Sequence, residues 1–405
     1  MPIELTNPLE IQPSRPSDIR QANRRILLRL LKRLGSCSKA DLVRLSGLSA
    51  PTVTAAVQDL EQTGLVETLG EGPSSGGRPP EMLRFNAEHG YVAGADIGGT
   101  RLRMMLSDLN GKTVAHWKGK LAPDEKDPDS ITRLVHRGLL DMCAEIGITK
   151  DRVQHITVGA PGITDVERGV VLSAPNLTDW IKVPLRDLIE AETGISTLAE
   201  NDTNLAAVGE HWMGAAKGVD DFVFIAMGTG VGSGIFLRGQ LHHGAAWSAG
   251  EIGYLGVPGM PRENPQIEKT GQLERTIGGA GIEELWHTHL VRSNRTHDDV
   301  LTSLRGAEIF DLAAQGDADA IAVLNYTAGV LADAIATITL LFNPSLVILG
   351  GGVGSHEYLR RETERLLADS DFPHPAIRTS LLGTQAQLYG TIALSLTGIE
   401  GKLLC

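Results

Sequence analysis

Cysteine is scarce in this chain. Three are present among 405 residues, Cys37, Cys143 and Cys405, and no two form a CxxC pair. That excludes a disulfide framework and a cysteine-rich metal site, and it suits a reducing compartment. Aromatic residues are also few, at 4%, whereas glycine reaches 47 residues. This balance favours an α/β body with many tight turns over a β-sandwich. No uninterrupted apolar run reaches the ~18 residues that a membrane span needs. The opening MPIELTNPLEIQPSRP lacks the basic and then apolar order of a signal peptide. The expectation is a cytoplasmic protein with no membrane partner.

Positive charge is in short supply as well. The net charge of −12 argues against nucleic-acid binding by the chain as a whole. Its distribution is uneven. Residues 1–85 hold 11 Lys and Arg against 9 Asp and Glu, and the rest of the chain holds 26 against 40. Only the N-terminal part tolerates a polyanion. Its cations concentrate in Arg20, Arg24, Arg25, Arg29, Lys32 and Arg33, either a DNA-facing patch or one solvated helix face. The length allows two to three domains.

Residues 18–85 carry the pattern of a DNA-reading head. Asp18 to Leu34 places Ile26, Leu27, Leu30, Leu31 and Leu34 at helical spacing and stops at Gly35. Ser38-Lys39-Ala40-Asp41 fits a capping box that opens a short helix, Lys39 to Ser46. Gly47-Leu48-Ser49 makes a turn, and Ser49 caps a third helix with Pro51 in its first turn. That helix is expected to bury Val53, Val57 and Leu60 and to expose Ser49, Ala50, Thr52 and Thr54. Two helices joined by a short Gly turn describe a helix-turn-helix, whose second helix enters the major groove. Ser49, Thr52 and Thr54 are the candidate DNA contacts. Leu65 to Leu69 and Glu81 to Phe85 then read as two strands around a loop, a wing. Its Gly76-Gly77-Arg78-Pro79-Pro80 makes Arg78 either a minor-groove insert or an incidental cation in a linker.

From Tyr91 the chain changes character. The apolar strand Tyr91 to Ile97 carries Asp96 at its end and turns through Gly98-Gly99-Thr100 into a second strand. Such a tip brings backbone amides to a phosphate, and the Asp can hold Mg²⁺ through water. Asp221 to Met227 and Gly228-Thr229-Gly230-Val231-Gly232 repeat the device about 130 residues later, which suggests duplicated α/β lobes facing each other across a phosphate. Gly350-Gly351-Gly352 follows another strand, where bare backbone suits a flat base or ribose. Between the hairpins lies Glu200-Asn201-Asp202, either a helix cap or a sugar-hydroxyl site with Asp202 as base.

Taken together, these motifs resemble the ROK family, which groups sugar kinases and sugar-responsive repressors, over about residues 18 to 399. The resemblance implies a winged helix-turn-helix at 18–85 followed by a two-lobed, actin-like ATPase (ribonuclease H-like) sugar-kinase fold. It places the first α/β lobe at 90–205, completed by a C-terminal helix at 385–399, and the second at 206–384. It implies nucleotide contacts at Asp96, Gly98, Gly99, Thr100, Thr229, Gly230, Gly351 and Gly352, with Mg-ATP as the candidate cofactor. It implies sugar contacts at Asn176, Asn201, Asp202, Glu251, Tyr254 and Glu274, with Asp202 as catalytic base. The assembly it implies is a homodimer or tetramer.

Two departures from the family pattern stand out. Tyr254 takes the place of a histidine in Gly250-Glu251-Ile252-Gly253-Tyr254, and the following segment, Gln266 to Leu273, has no cysteine. Those are the family's structural zinc ligands, so no zinc is expected. The loop should then be ordered by packing alone. His287 and His289, just downstream, read as a solvated helix face.

Two functions remain. One is a repressor of a carbohydrate-utilisation operon, released from operator DNA by a sugar inducer bound between the lobes. The other is an ATP-dependent, glucokinase-like sugar kinase with an autoregulatory head. The head favours the first, because a kinase needs no recognition helix. The retained Asp96, Asp202 and Thr229 favour the second.

Overall fold

The computed structural model describes residues 16–73, 79–122, 124–174, 177–266, 269–369 and 371–404. It divides into two compact units.

The first unit comprises the chain up to Tyr91 with residues 108–112 and 398–405. It runs α1 (Pro16–Leu34), β1 (Ser36–Ser38), α2 (Lys39–Ser46), α3 (Ala50–Gln62), β2 (Val66–Glu71) and β3 (Glu81–Phe85). Gly35 ends α1 at φ +75, and its N–H reaches the Leu31 carbonyl at 2.9 Å. The capping box opens α2: Asp41 N–H donates to Ser38 Oγ, and Ser38 N–H donates to Asp41 Oδ2. Gly47, at φ 71, closes α2, and the Ser49 hydroxyl caps α3 by accepting from Thr52 N–H. Leu27, Leu31, Leu42, Val53, Val57, Leu60 and Leu83 form a fully buried core. Each such side chain stabilises the fold by about 2 kcal/mol.

Two details differ from the sequence reading. Leu28 joins the buried arc of α1, while Ile26 and Leu34 are 40% and 41% exposed. The arc is narrower than the apolar row, because a small domain cannot cover every leucine. The strand β1 is too short to show a pattern. It exists because β3 pairs with it on one edge, antiparallel with Cys37 opposite Leu83, and with β2 on the other.

The second unit comprises residues 92–107 and 113–397. Its elements begin with β4 (Tyr91–Ile97), β5 (Arg101–Asp108), β6 (Thr113–Lys120), α4 (Pro128–Glu145), β7 (Val153–Ala160), β8 (Ile163–Asp165), β9 (Val170–Ser173), β10 (Ile181–Val183), α5 (Leu185–Thr193), β11 (Thr197–Asn201) and α6 (Asp202–Met213). They continue with β12 (Phe222–Met227), β13 (Val231–Leu237), β14 (Gln240–Leu241), α7 (Gln272–Ile277), α8 (Gly279–Arg292), α9 (Asp299–Ser303), α10 (Ala307–Ala314) and α11 (Ala318–Phe342). The last are β15 (Leu346–Gly350), α12 (Gly351–Gly354), α13 (Glu357–Ala368), β16 (Ala376–Thr379) and α14 (Ala386–Glu400).

Two five-stranded sheets carry this unit, in the orders β6-β5-β4-β7-β11 and β14-β13-β12-β15-β16. Numbered along the chain, both run 3-2-1-4-5, the same topology twice. The central strands β4 and β12 each lead into one of the two glycine hairpins. The duplication expected from the glycine motifs is therefore a duplication of whole sheets.

Against the second sheet, α11 buries Val323, Leu324, Leu331 and Ile335 beside Val223, Ile225, Val347 and Leu349. This helix is long and apolar enough to cross a membrane, yet 56% of its apolar window is buried in the lobe, as in a core helix. α14 returns to the first sheet. Ser395 Oγ donates to the Ala93 carbonyl at 3.2 Å and bonds Thr157 Oγ1 at 2.7 Å. Against α6 it approaches backbone to backbone: a Cβ on Gly390 would lie 1.9 Å from the Leu205 carbonyl oxygen, so only glycine fits.

Candidate functional site

The glycine hairpin tips are shaped for close approach. Gly98 N–H reaches the Arg101 carbonyl at 2.9 Å, which closes the first tip and leaves Gly99 and Thr100 exposed. The second closes by Gly228 N–H to the Gly230 carbonyl at 3.0 Å, with Thr229 exposed. Gly351 sits at φ +85, and a Cβ there would fall 2.3 Å from the Met227 carbonyl oxygen; beside it, Gly352 faces open space. All three are bare backbone surfaces of the kind that phosphate and ribose need.

Asp96, at the end of β4, is buried, and Arg103 on β5 donates to its Oδ2 through Nε at 3.0 Å. Burial pushes the Asp96 carboxyl up, and the Arg103 charge and hydrogen bond oppose it. Arg103 also donates to the Thr384 carbonyl, just ahead of α14. Sequence reasoning passed over Arg103. The signal was its place two residues after Arg101 in an otherwise apolar strand, a polar position at the strand's period.

The Asn201-Asp202 pair stands where β11 becomes α6. Asn201 is the cap: its Oδ1 accepts from Asn204 N–H at 2.9 Å, and its Nδ2 donates to the Gly162 carbonyl at 2.8 Å. The helix-cap reading of this motif is thus realised, and Gly159 to Gly162 is tied to it. Asp202 opens the helix. Its carboxyl is pushed up to about 7, first by burial, then by the Asp96 charge, against hydrogen bonds from Thr203, with Glu251 adding a smaller push. A carboxylate held near neutrality is suited to exchange a proton with a hydroxyl.

Glu251, Tyr254 and Glu274 approach from the second sheet's side. Burial pushes Glu251 up to about 7, and the Glu274 charge adds to it. Burial raises the Tyr254 phenol, and the Glu251 and Glu274 charges raise it further. Glu274 Oε2 accepts from Val231 N–H at 3.1 Å, directly after the second glycine tip. Electrostatics thus joins Asp96, Asp202, Glu251, Glu274 and Tyr254 into one acidic floor. Asn176, also assigned to the sugar by resemblance, lies outside the described residues.

Two further residues belong to this floor. Glu200 is 1% exposed. Its Oε1 accepts from Asn201 N–H at 2.8 Å and from Asn204 Nδ2 at 3.0 Å, and its Oε2 lies 2.7 Å from His243 Nε2. No pattern in the sequence singles out His243.

The loop before α7 corrects one expectation. It is held by hydrogen bonds and not by packing alone. Val257 N–H donates to Gln272 Oε1 at 3.0 Å, and Gln272 Nε2 donates to the Pro261 carbonyl at 3.1 Å. Arg275 donates to the Thr270 carbonyl and pairs with Glu263 Oε2 at 2.5 Å. These bonds span a cavity of 790 Å³. Among the described residues, no group of three or more His, Cys, Asp or Glu side chains is placed to hold a metal ion.

On the first unit, α3 presents exposed Ser49, Ala50, Thr54, Ala55 and Gln58. Thr52, expected to be exposed, is half-buried. It is the third residue after the cap, and its hydroxyl bonds Ser49 Oγ at 2.8 Å. The basic face of α1 is also less free than its composition implies. Arg29 pairs with Glu400 at 3.0 Å, Arg24 lies 3.9 Å from Asp59, and Lys32 donates to the Leu109 carbonyl and covers the Phe85 ring. Arg78 and residues 74–77 of the wing loop lie outside the described residues.

Comparison with known proteins adds independent findings. The ROK family profile matches residues 92–397, and the MarR family profile matches residues 18–76. A xylose repressor of Bacillus subtilis is 28% identical over 341 residues, covering 83% of each chain. A ROK family glucokinase of Streptomyces griseus, solved with glucose and AMPPNP, superposes with a TM-score of 0.64 at 28% identity, covering 76% of this chain and 100% of its own. A ROK family transcriptional regulator described as a homologue of the E. coli MLC protein superposes with a TM-score of 0.78 at 23% identity, covering 95% and 98%. Together these show the fold: a winged helix-turn-helix followed by an actin-like sugar-kinase body.

Proposed function

The chain belongs to the ROK family, and from that premise we propose that it is a transcriptional repressor whose grip on operator DNA is set by a sugar bound between the lobes. The observation that carries this is the presence on one chain of a capped recognition helix, α3, and an acidic cleft floor of Asp202, Glu251 and Glu274. A carboxylate-rich floor suits a polyol, whose hydroxyls donate to it. Likeness over most of the chain to a xylose repressor supports the same reading.

In this reading Asn176, Asn201, Asp202, Glu251, Tyr254 and Glu274 hold the sugar. Ser49, Thr52, Thr54 and Arg78 meet DNA. The sugar acts only if it binds the DNA-competent and released states unequally. The protein works in the cytoplasm as a homodimer or tetramer, since helix-turn-helix dimers read two half-sites in register.

One observation favours a kinase as the second reading. Asp202, on the acidic floor and within reach of the Asp96 charge, is held near neutrality, as a general base needs. Asp96, Gly98, Gly99, Thr100, Thr229, Gly230, Gly351 and Gly352 would hold Mg-ATP, and the open faces at Gly99 and Gly352 fit it. When bound, the metal would neutralise phosphate charge. The cation would compete with Arg103 for the Asp96 carboxylate.

The test is a titration of the protein onto its own upstream DNA with xylose, glucose and amino sugars, with and without Mg-ATP, with ADP release followed in parallel. DNA release by one sugar without turnover is expected. ADP production with that sugar, and no change in DNA affinity, would replace the repressor reading with the kinase.

A further inference from the structure

Glu200 and His243 come from opposite sides of the cleft floor. Glu200 lies on β11 of the first sheet, next to Asn201 and Asp202. His243 lies two residues beyond β14 of the second sheet, on the segment that ends at Glu251. Their contact, 2.7 Å between Oε2 and Nε2, therefore joins the two halves of the sugar site.

Each partner is rooted in the residues that would meet sugar. Glu200 Oε1 takes the Asn201 and Asn204 donors, so its carboxylate sets the turn that presents Asn201 and Asp202. The His243 carbonyl accepts from Ala249 N–H at 3.1 Å, which folds the segment back on itself two residues before Glu251. Gly244 at φ 72 and Trp247 at φ 62 make that fold, and the Trp247 ring stands edge-on to the imidazole at 5.4 Å.

We infer that His243 is a positioning residue for the sugar site: its pair with Glu200 latches the two lobes in the geometry that binds sugar, and sugar affinity follows the charge on the imidazole. The inference rests on the sugar-binding reading above.

The electrostatics agree with the geometry. The hydrogen bond that His243 donates to Glu200 raises the imidazole above its ordinary value, burial opposes this, and the Glu200 charge adds to the rise. Glu200, facing from β11, is the charged group that acts on it among the described residues, and the neighbouring His242 is exposed. Because the folded value is raised, the pair is fully formed below about pH 6.5 and is lost as pH rises through the higher folded value.

Asp202 and Glu251 titrate in the same site, so the ratio between two proteins is the informative quantity. Sugar affinity of the full chain is measured by calorimetry from about pH 5.5 to about pH 8.5, for the native protein, His243→Ala and His243→Gln. The expected loss in His243→Ala is about tenfold at the acid end, the scale for removing a partner that orients a binding residue, shrinking towards none at the alkaline end. His243→Gln keeps a donor to Glu200 without the charge, so it should recover part of the affinity at the acid end, and its gap from the native protein should also close as pH rises. A ratio that is flat with pH, or His243→Ala binding as tightly as the native protein at the acid end, overturns the inference.

A second measurement needs no sugar. The imidazole resonances of labelled histidine should show His243 titrating above the ordinary value in the native protein and dropping in Glu200→Gln. An ordinary value in the native protein overturns the latch. If no sugar binds the native protein, the sugar-binding reading fails by itself, and this titration still decides the pair.

Discussion

Arg103 and Asp96 form an ion pair on strands β5 and β4, with Nε donating to Oδ2 at 3.0 Å, and the same guanidinium donates to the Thr384 carbonyl where the chain leaves the second sheet for α14. The acid expected to serve Mg-ATP is therefore also a structural anion. Breaking a buried pair leaves one charge uncompensated, whereas removing both partners does not. Arg103→Met should destabilise the protein by about 3 kcal/mol, and Asp96→Asn combined with it should cost less than the sum of the two single changes. Urea unfolding of the three variants checks this. Additive effects would mean that the two groups do not depend on each other.

Glu210 on α6 is fully buried and takes donors from both crossovers between the sheets. Its Oε2 accepts from Ala215 N–H at 2.7 Å on the way to β12. Its Oε1 accepts from Ser380 Oγ at 2.5 Å and Leu382 N–H at 3.0 Å on the way to α14. Glu210→Ala strands several half-buried donors, each costing about 1–3 kcal/mol. The expected result is a loss of at least about 3 kcal/mol and faster proteolysis at residues 214–221 and 380–385. Thermal unfolding and limited proteolysis read both. A variant as stable as the native protein would show that the crossovers do not need the clasp.

Asp202 and Glu251 are both held near 7, well above ordinary carboxylates. For a raised folded value, the protonated group stabilises the fold fully below the unfolded value near 4, and this is lost as pH climbs through about 7. The free protein should lose stability between about pH 4 and about pH 7 from these two groups. Asp202→Asn and Glu251→Gln should each be more stable than the native protein above neutrality by at least about 1 kcal/mol, and each should flatten the slope. Asp202→Asn should also remove any phosphotransfer by a factor of about 100 or more. Unfolding curves across the pH range, with ADP release alongside, decide the matter; parallel pH profiles would refute it.

The local rules in the sequence carried much of this architecture. Ser38, Asp41 and Ser49 announced the helix starts, because caps act within three residues. The two glycine tips announced two like lobes. What the sequence hid was long-range. Nothing near His243 says that Glu200, 43 positions earlier, lies 2.7 Å away. Thr52 looked free because its spacing from Val53 and Val57 faces outward, yet the cap it follows claims its hydroxyl. Gln272 holds a loop that lacks the family's metal ligands, and a lone glutamine carries no such signal in one sequence.

Lys32 and Arg29 belong to the cationic cluster whose sequence fits either a DNA-facing patch or a solvated helix face, and the structure commits both elsewhere within the first unit. Lys32 donates to the Leu109 carbonyl at 3.0 Å and lies 4.5 Å from the centre of the Phe85 ring, and burial lowers its ammonium below the ordinary value. Arg29 pairs with Glu400, whose carboxyl is lowered first by that hydrogen bond. A cation that neutralises phosphate on binding releases counterions, and its loss reduces the salt slope by about one. Lys32→Ala and Arg29→Ala should therefore leave the slope of operator affinity against salt unchanged. Lys32→Ala should instead lower stability by about 1 kcal/mol through the lost cation–π contact and hydrogen bond. Thr54→Ala, on the exposed face of α3, should behave in the opposite way. It should weaken specific binding by about 1 kcal/mol at fixed salt, with stability and slope both intact. Filter binding on specific and scrambled DNA across a salt series separates these cases. A slope that falls by one in Lys32→Ala or Arg29→Ala would put α1 on the phosphate backbone after all.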